Sequence, residues 1–272
     1  ACLVGSEMCI RDRVKLTIAP LFSGSKGNST YISTDKTSLL VDAGMSGSAI
    51  EKALAQIEAS PAELSGILVT HEHTDHIRGV GVLSRRYDIP IFANALTWEA
   101  MQSDIGRIKA KNECVIDRGE FYIGDICARP IPLMHDAADP TGYALCAGGK
   151  QVGILTDTGK VTRDMLDTLA DSSIVLLESN HDETMLKNGP YPYSLKQRIL
   201  SAHGHLSNIA SCRAAKALAE RGVRGVLLAH LSEHNNTEPL AYRTVCDGLA
   251  EEGVRVGVDI ALALTQNLAV TG

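Results

Sequence analysis

Between positions 71 and 76 the chain carries His71-Glu72-His73-Thr74-Asp75-His76, directly after Thr70 and the apolar run Gly66-Ile67-Leu68-Val69. A strand that ends this way has little structural use for three imidazoles and Asp75. Neutral imidazole nitrogens and carboxylate oxygens are good ligands for zinc and neighbouring divalent ions. Side chains alternate with period two along a strand, so His71 and His73 leave its end on one side. Asp75 and His76 follow the turn and can curl back toward a second ion. The bland alternative is a solvated histidine-rich turn, but so dense a tract reads first as a metal site.

A loop site of this kind is incomplete and needs ligands from other strand ends. Four further groups qualify. Asp42 follows Leu39-Leu40-Val41, His135 follows Ile131-Pro132-Leu133-Met134, Asp157 follows Ile154-Leu155-Thr156, and His230 follows Val226-Leu227-Leu228-Ala229. Singly, an Asp after a strand is a turn former or helix cap, and a lone His is structural. Together with the cluster, the four point to one dispersed metal site.

The rest of the chain is that of an ordinary globular protein. Its 272 residues are 44% apolar and 21% charged, which suits one large domain or two small ones. We find no linker, repeat or low-complexity segment, so 14–272 reads as a single domain. Residues 1–13 do not fit the pattern that follows: they lack the basic start and cleavage site of a secretory signal. They read as a non-native leader. A net charge of −6 leaves no global basic footprint for nucleic acid. An enzyme whose metals and local basic residues meet phosphates remains compatible with it. No apolar run approaches the ~20 residues of a membrane span. Seven cysteines, odd in number and without a CxxC pair, form neither a disulfide framework nor a zinc ribbon. Cys127, Cys146, Cys212 and Cys246 sit in apolar surroundings, and a reducing cytoplasm is the expected compartment.

Periodicity and turn residues predict strands at 14–22, 29–33, 38–41, 91–93, 114–116, 126–131, 143–146, 151–155, 173–177, 223–229 and 254–258, besides the one that ends at Thr70. Helices are expected over 46–57, after Asp75, and over 194–202, 207–221 and 238–251. The first half looks antiparallel and the second alternates strand and helix, an α/β (α+β) arrangement of two sheets with helices outside.

The order Asp42, His71-x-His73-x-Asp75-His76, His135, Asp157, His230 resembles the five motifs of the metallo-β-lactamase fold, from Val14 onward. The resemblance implies an αββα sandwich with the metal site in the cleft between its sheets. It implies that His71, His73 and His135 hold one divalent ion (zinc or manganese), that Asp75, His76 and His230 hold another, and that Asp157 bridges the two. Asp42 would brace the histidine loop. Ser23-Gly24-Ser25-Lys26-Gly27-Asn28-Ser29, Glu178-Ser179-Asn180-His181-Asp182, Gly204-His205-Leu206-Ser207-Asn208 and His230-Leu231-Ser232-Glu233-His234-Asn235-Asn236 are similar to the YycJ (WalJ) subfamily, related to ribonuclease Z and β-CASP nucleases. That likeness implies a dinuclear hydrolase of phosphodiesters, foremost a 5′-to-3′ DNA exonuclease in the cytoplasm, with a metal-bridging hydroxide as nucleophile. The alternative within the fold is a small-molecule phosphodiesterase or a thioester or lactone hydrolase. From another class, a non-catalytic metal-binding module would fit a degenerate ligand set better than this intact one.

Asp75, His205 and Glu178 are the candidate catalytic groups. A histidine offers a general acid near neutral pH, and a carboxylate partner raises its pKa. His205 has a second reading, as a neighbour of the cap that Ser207 supplies to the next helix. Lys26, Asn28 and His181 are candidate substrate contacts. The Ser23–Ser29 loop either cradles a phosphate or is a tight turn shaping the cleft. His181 either meets substrate or lies on the surface at a helix start. Arg85, Arg86, Arg107, Lys109 and Lys111 read as backbone contacts or as solvated charges.

Overall fold

A computed structural model describes residues 15–265. The leader, and Val14 where the first strand was expected to begin, lie outside them. Sheet A contains β1 (Thr17–Phe22), β2 (Ser29–Ser33), β3 (Ser38–Val41), β4 (Gly66–Leu68), β5 (Ile91–Asn94) and β6 (Glu113–Ile116), in that spatial order. Sheet B follows with β7 (Phe121–Ile123), β8 (Ile126–Pro132), β9 (Thr141–Ala147), β10 (Lys150–Leu155), β11 (Ile174–Glu178), β12 (Gly225–Ala229) and β13 (Ala261–Leu264), again neighbour by neighbour. The helices are α1 (Gly47–Gln56), α2 (Thr74–Ile77), α3 (Val80–Tyr87), α4 (Ala95–Ile105), α5 (Arg163–Thr168), α6 (Glu183–Asn188), α7 (Tyr193–Ile199), α8 (Asn208–Ala219) and α9 (Glu238–Glu251).

Three apolar layers make this an αββα sandwich. Along β3, Leu39 and Val41 face the space between the sheets while Leu40 faces the helices, as period two requires. Val152, Ile154 and Leu176 meet Leu39 and Val41 across that inter-sheet core. Leu40, Ile67 and Ile91 pack under α1, α3 and α4, with Ile50, Leu83 and Met101. Leu155, Val175, Leu177 and Leu228 pack under α5, α8 and α9, with Met165, Leu218 and Val245. Strands buried on both faces read as continuous apolar runs. Each such side chain contributes about 1.5–3 kcal/mol when fully buried.

The two sheets are joined next to the histidine loop. The Tyr143 hydroxyl, fully buried on β9, donates to the Val69 carbonyl at 2.8 Å, and the Thr141 amide donates to the Thr70 carbonyl at 2.9 Å. Both bonds hold the end of β4 against sheet B.

Some expectations need correction. Only β1–β3 are antiparallel in sheet A; β3 to β6 run parallel, with helices returning between them. The strand expected at 254–258 is a turn. The Arg255 amide donates to Asp259 Oδ2, Gly257 has φ +84°, and Val258 stays exposed. The edge strand forms instead at Ala261–Leu264, pairing with β12. The helix after Asp75 is two helices, α2 and α3. The helices α4 and α5 and the short strand β7 were not anticipated, and α6 only as a helix start near His181, where Asp182 caps it. By contrast, Ser46 and Ser207 cap α1 and α8 as their position before each helix predicts, accepting from the amides of Ala49 and Ala210. Among the described residues, no helix is long and apolar enough to cross a membrane, and the five cysteines described are free thiols.

Candidate metal centre

Every expected ligand lies at the carboxyl end of a strand or just beyond it. Asp42 follows β3, the His71–His76 loop follows β4, His135 follows β8, Asp157 follows β10 and His230 follows β12. Parallel neighbours end at one edge, so the fold brings these termini together. Asp42, Asp157 and His230 leave their strands with φ of +62°, +58° and +56°. This left-handed conformation is costly for residues with a Cβ and turns each side chain out of the ladder. Gly44 allows the histidine loop to close on β3. A Cβ there would meet the Asp75 carbonyl oxygen at 1.6 Å.

The donor atoms form interlocking sets. His71, His73 and His135 form one group, and Asp75, His76 and His230 form another, each with candidate ligand atoms within 4.8 Å of one another. Asp157 reaches both sides. Its Oδ1 lies 3.4 Å from His230 Nε2 and 4.0 Å from His135 Nε2, and its Oδ2 lies 3.4 Å from His76 Nε2.

Hydrogen bonds on the outer side of four of the rings aim the inner nitrogen. Asp42 Oδ2 accepts from His76 Nδ1 at 2.8 Å, and the Gly204 carbonyl accepts from His135 Nδ1 at 3.1 Å. His71 Nδ1 meets the Thr70 hydroxyl at 3.0 Å, and that hydroxyl donates to Asp42 Oδ2 at 2.8 Å. Glu178 Oε1 accepts from His230 Nδ1 at 2.9 Å. In the neutral ring that a metal ion would bind, occupying Nδ1 in this way leaves Nε2 as a lone-pair donor. Four Nε2 atoms therefore converge with His73 Nδ1, which lies 3.0 Å from His71 Nε2 and 3.4 Å from His135 Nε2. A divalent cation between these nitrogens would accept all of their lone pairs at once. Asp157 Oδ2 and His230 Nε2 are also buried without a hydrogen-bond partner, and burial of such unpaired polar atoms costs about 1–3 kcal/mol each. This donor set fits divalent metal ions.

A second grouping would place Glu178 and His205 with Asp157 and His230 as ligands. The bonds of Glu178 argue against it. Oε1 accepts from His230 and, at 2.7 Å, from His205 Nδ1; Oε2 accepts from the amides of Thr158 and Leu206 at 2.9 and 3.2 Å. Glu178 is a saturated brace for two imidazoles. Its partnership with His230 was not anticipated, because nothing in Ile174-Val175-Leu176-Leu177-Glu178 says which ring a buried carboxylate meets.

The charges respond to this packing. Burial pushes the His71 pKa well below its usual value, and the neighbouring imidazoles push it further. Burial also lowers His135, partly opposed by Asp157. For His76, burial is outweighed by Asp157 and Asp42, which raise its pKa to about 9. His230 is likewise raised, burial being outweighed by Asp157, Asp75 and Glu178. Asp75 stays well below the usual carboxylate range, because His230 and His76 outweigh its burial. The same contest lowers Glu178, through His205 and His230, and raises His205, chiefly through Glu178.

The candidate substrate contacts fall in different places. Asn28 is buried behind the cluster, its amide 3.1 Å from His76 Nε2 and 3.4 Å from Asp75 Oδ2. Lys26 is exposed and paired with Glu233 at 2.7 Å. His181 is buried, so the surface reading fails; neither ring nitrogen has a hydrogen-bond partner, and burial lowers its pKa to about 4. The Ser23–Ser29 loop forms a tight turn, closed by the Gly27 amide on the Gly24 carbonyl, and Ser23 Oγ accepts from the His230 amide at 2.8 Å. Arg85, Arg86, Lys109 and Lys111 are engaged elsewhere: Arg85 on the Ile105 carbonyl, Arg86 on Glu51, and both lysines on Asp88. A cavity of about 240 Å³ opens over His73, Asp75, His135, Asp157, His205 and His230. A second, of about 350 Å³, adjoins it at Ser25 and Ser232.

A family model described as a beta-lactamase superfamily domain matches residues 37–231. The chain belongs to this superfamily. Within it, the chain is 42% identical to "Exodeoxyribonuclease YycJ" of Bacillus anthracis over 89% of its own length and 92% of that protein's. It is 41% identical to "Exodeoxyribonuclease WalJ" of Streptococcus pneumoniae over 88% and 90%. It is therefore a member of the YycJ/WalJ group. The metallo-β-lactamase fold protein YhfI of Bacillus subtilis has the same fold, with a TM-score of 0.69 at 16% identity over 93% of this chain and 98% of that one. The superfamily domain covers β3 to β12 and every proposed metal ligand.

Proposed function

We propose that this superfamily member is a dinuclear metal-dependent phosphodiesterase acting on DNA, as a 5′-to-3′ exonuclease in the cytoplasm. The observation that carries the chemistry is the convergence of imidazole lone pairs and the Asp157 carboxylate on two adjoining triads. The substrate and its polarity rest on the likeness to the exodeoxyribonucleases. His71, His73 and His135 would hold one zinc or manganese ion, Asp75, His76 and His230 the other, with Asp157 between. Such ions supply charge neutralisation on the phosphoryl group and activation of a water near neutral pH.

The remaining work falls to side chains of this chain. Asp42, Thr70, Gly204 and Glu178 hold the ring orientations through the bonds described above. Asp75 lines the cleft as a carboxylate across the working pH range, and as a catalytic group it would orient the attacking water. His205 is the proton donor to the leaving oxygen, a poor leaving group in nucleic acid that gains from a general acid. Glu178 accepts from its Nδ1, which leaves the Nε2 proton for transfer. Lys26, Asn28 and His181 are the proposed substrate-side residues, Lys26 through its charge and the two buried groups through the loops they sit in.

The test is degradation of end-labelled duplex DNA by metal-loaded protein in Mn²⁺, beside an Asp157→Ala control. We expect stepwise release of nucleotides from the 5′ end, abolished by the substitution. A metal-loaded protein that leaves DNA intact but hydrolyses a thioester or lactone would overturn the reading.

A further inference from the structure

One wall of the cavity over the donor cluster comes from α7 and the residues just before it, through Tyr191, Leu195 and Arg198. Among the described residues lining it, Arg198 is the one lysine or arginine. Its guanidinium rests on Asp136, the residue after His135, and 55% of its side chain remains exposed. Tyr191 is half-buried, braced by the His234 ring at 5.8 Å between centroids with planes 76° apart. A flat aromatic and a forked cation, seven positions apart in the chain, thus line one cavity with proposed metal ligands.

We propose that Tyr191 and Arg198 seat the nucleotide next to the scissile phosphodiester, Tyr191 under its base and Arg198 on its phosphate. The proposal rests on the nuclease reading and goes beyond it by naming the recognition elements. An exposed ion pair contributes little, so a phosphate can replace the Asp136 carboxylate at small cost. The guanidinium fork matches phosphate oxygens. Aromatic stacking accepts every base, as a non-specific nuclease requires. At about 240 Å³, the cavity is smaller than the ~300–1,000 Å³ that houses drug-sized ligands. It has room for about one nucleotide beside the ligands, and the cavity of about 350 Å³ that adjoins it at Ser25 and Ser232 continues the cleft.

The experiment compares Arg198→Ala, Arg198→Lys, Tyr191→Ala and Tyr191→Phe in the full chain loaded with Mn²⁺. The substrates are a single-stranded oligonucleotide and methyl nitrophenyl phosphate, a diester with no nucleobase. Each alanine variant is expected to raise KM for the oligonucleotide about tenfold, with a change of about twofold on the small diester. Phe should restore the Tyr191 function, and Lys should restore only part of that of Arg198. Loss of Arg198 should also flatten the salt dependence of oligonucleotide KM by about 0.7 in log–log slope. Equal losses on both substrates, or no change on the oligonucleotide, would overturn the proposal while the nuclease reading stands. A wild-type protein that hydrolyses the small diester but no DNA would overturn both.

Discussion

His230 has a Cβ and yet sits at φ +56°, a conformation that costs about 1–3 kcal/mol outside glycine. It is held there by the Ser23 hydroxyl on its amide, the Asn180 amide on its carbonyl, and Glu178 on its ring. Asp42 is held in the same way, with the Thr70 amide donating to Oδ1 and the Thr70 hydroxyl and His76 ring to Oδ2. Strain at both residues is concentrated where side chains must leave the sheet and face a common point. Asp42→Asn keeps the shape but loses one acceptor for His76. Metal titration should then show affinity about 10–100-fold weaker. His205→Asn should lower kcat on DNA about 10²–10⁴-fold. With bis-nitrophenyl phosphate, whose leaving group needs no proton, the loss should be far smaller. The raised pKa of His205 sets the sign of the pH dependence. Its protonated form persists above the ordinary value of 6.5 and is lost as pH rises through the raised value. The kcat–pH profile on DNA should therefore fall on its alkaline side, and that limb should vanish in His205→Asn.

Among the elements, the turn after β3 is the tightest constraint on the site. Gly44 lies against the Asp75 carbonyl, and its amide donates to the Asn28 carbonyl at 2.8 Å. Gly44→Ala would force the histidine loop away from β3. We expect a destabilisation of about 1–3 kcal/mol or more by denaturant titration, with a larger proportional loss of metal content. This contact was not legible in the sequence, where Gly44 is one of 24 glycines. The strands that carry ligands were legible, because Leu39-Leu40-Val41 and Val226-Leu227-Leu228-Ala229 are continuous apolar runs stopped by Asp42 and His230. The helix α4 was missed because Ala95–Ile105 shows no strong apolar stripe, with only Thr97, Met101 and Ile105 buried. The strand β13 was displaced because Val254, Val256 and Val258 alternate like a strand, while the Arg255–Asp259 pair closes a turn there. Strand direction in sheet A was misread for a different reason. Parallel pairing depends on partners far along the chain, which local pattern does not encode.

At the scale of the whole molecule, the two sheets are held together beside the site as well as through their apolar core. Tyr143 and Thr141 of sheet B bond to the carbonyls of Val69 and Thr70 in sheet A, and Asp75 and His230 face each other across the cleft at 3.9 Å. Ions bound between sheets stabilise the folded state alone. At a free concentration 100 times Kd, one ion adds about 2.7 kcal/mol. Scanning calorimetry should then show Tm rising by about 5–10 °C on loading the chelator-stripped protein. An unchanged Tm would mean that the donor cluster does not bind. An anomalous difference map from crystals grown with Mn²⁺ or Zn²⁺ would locate the ions directly. Two peaks about 3.5–4 Å apart are expected, one against His71, His73 and His135, the other against Asp75, His76 and His230, with Asp157 between them. A single peak, or one held by Glu178 and His205, would contradict this arrangement.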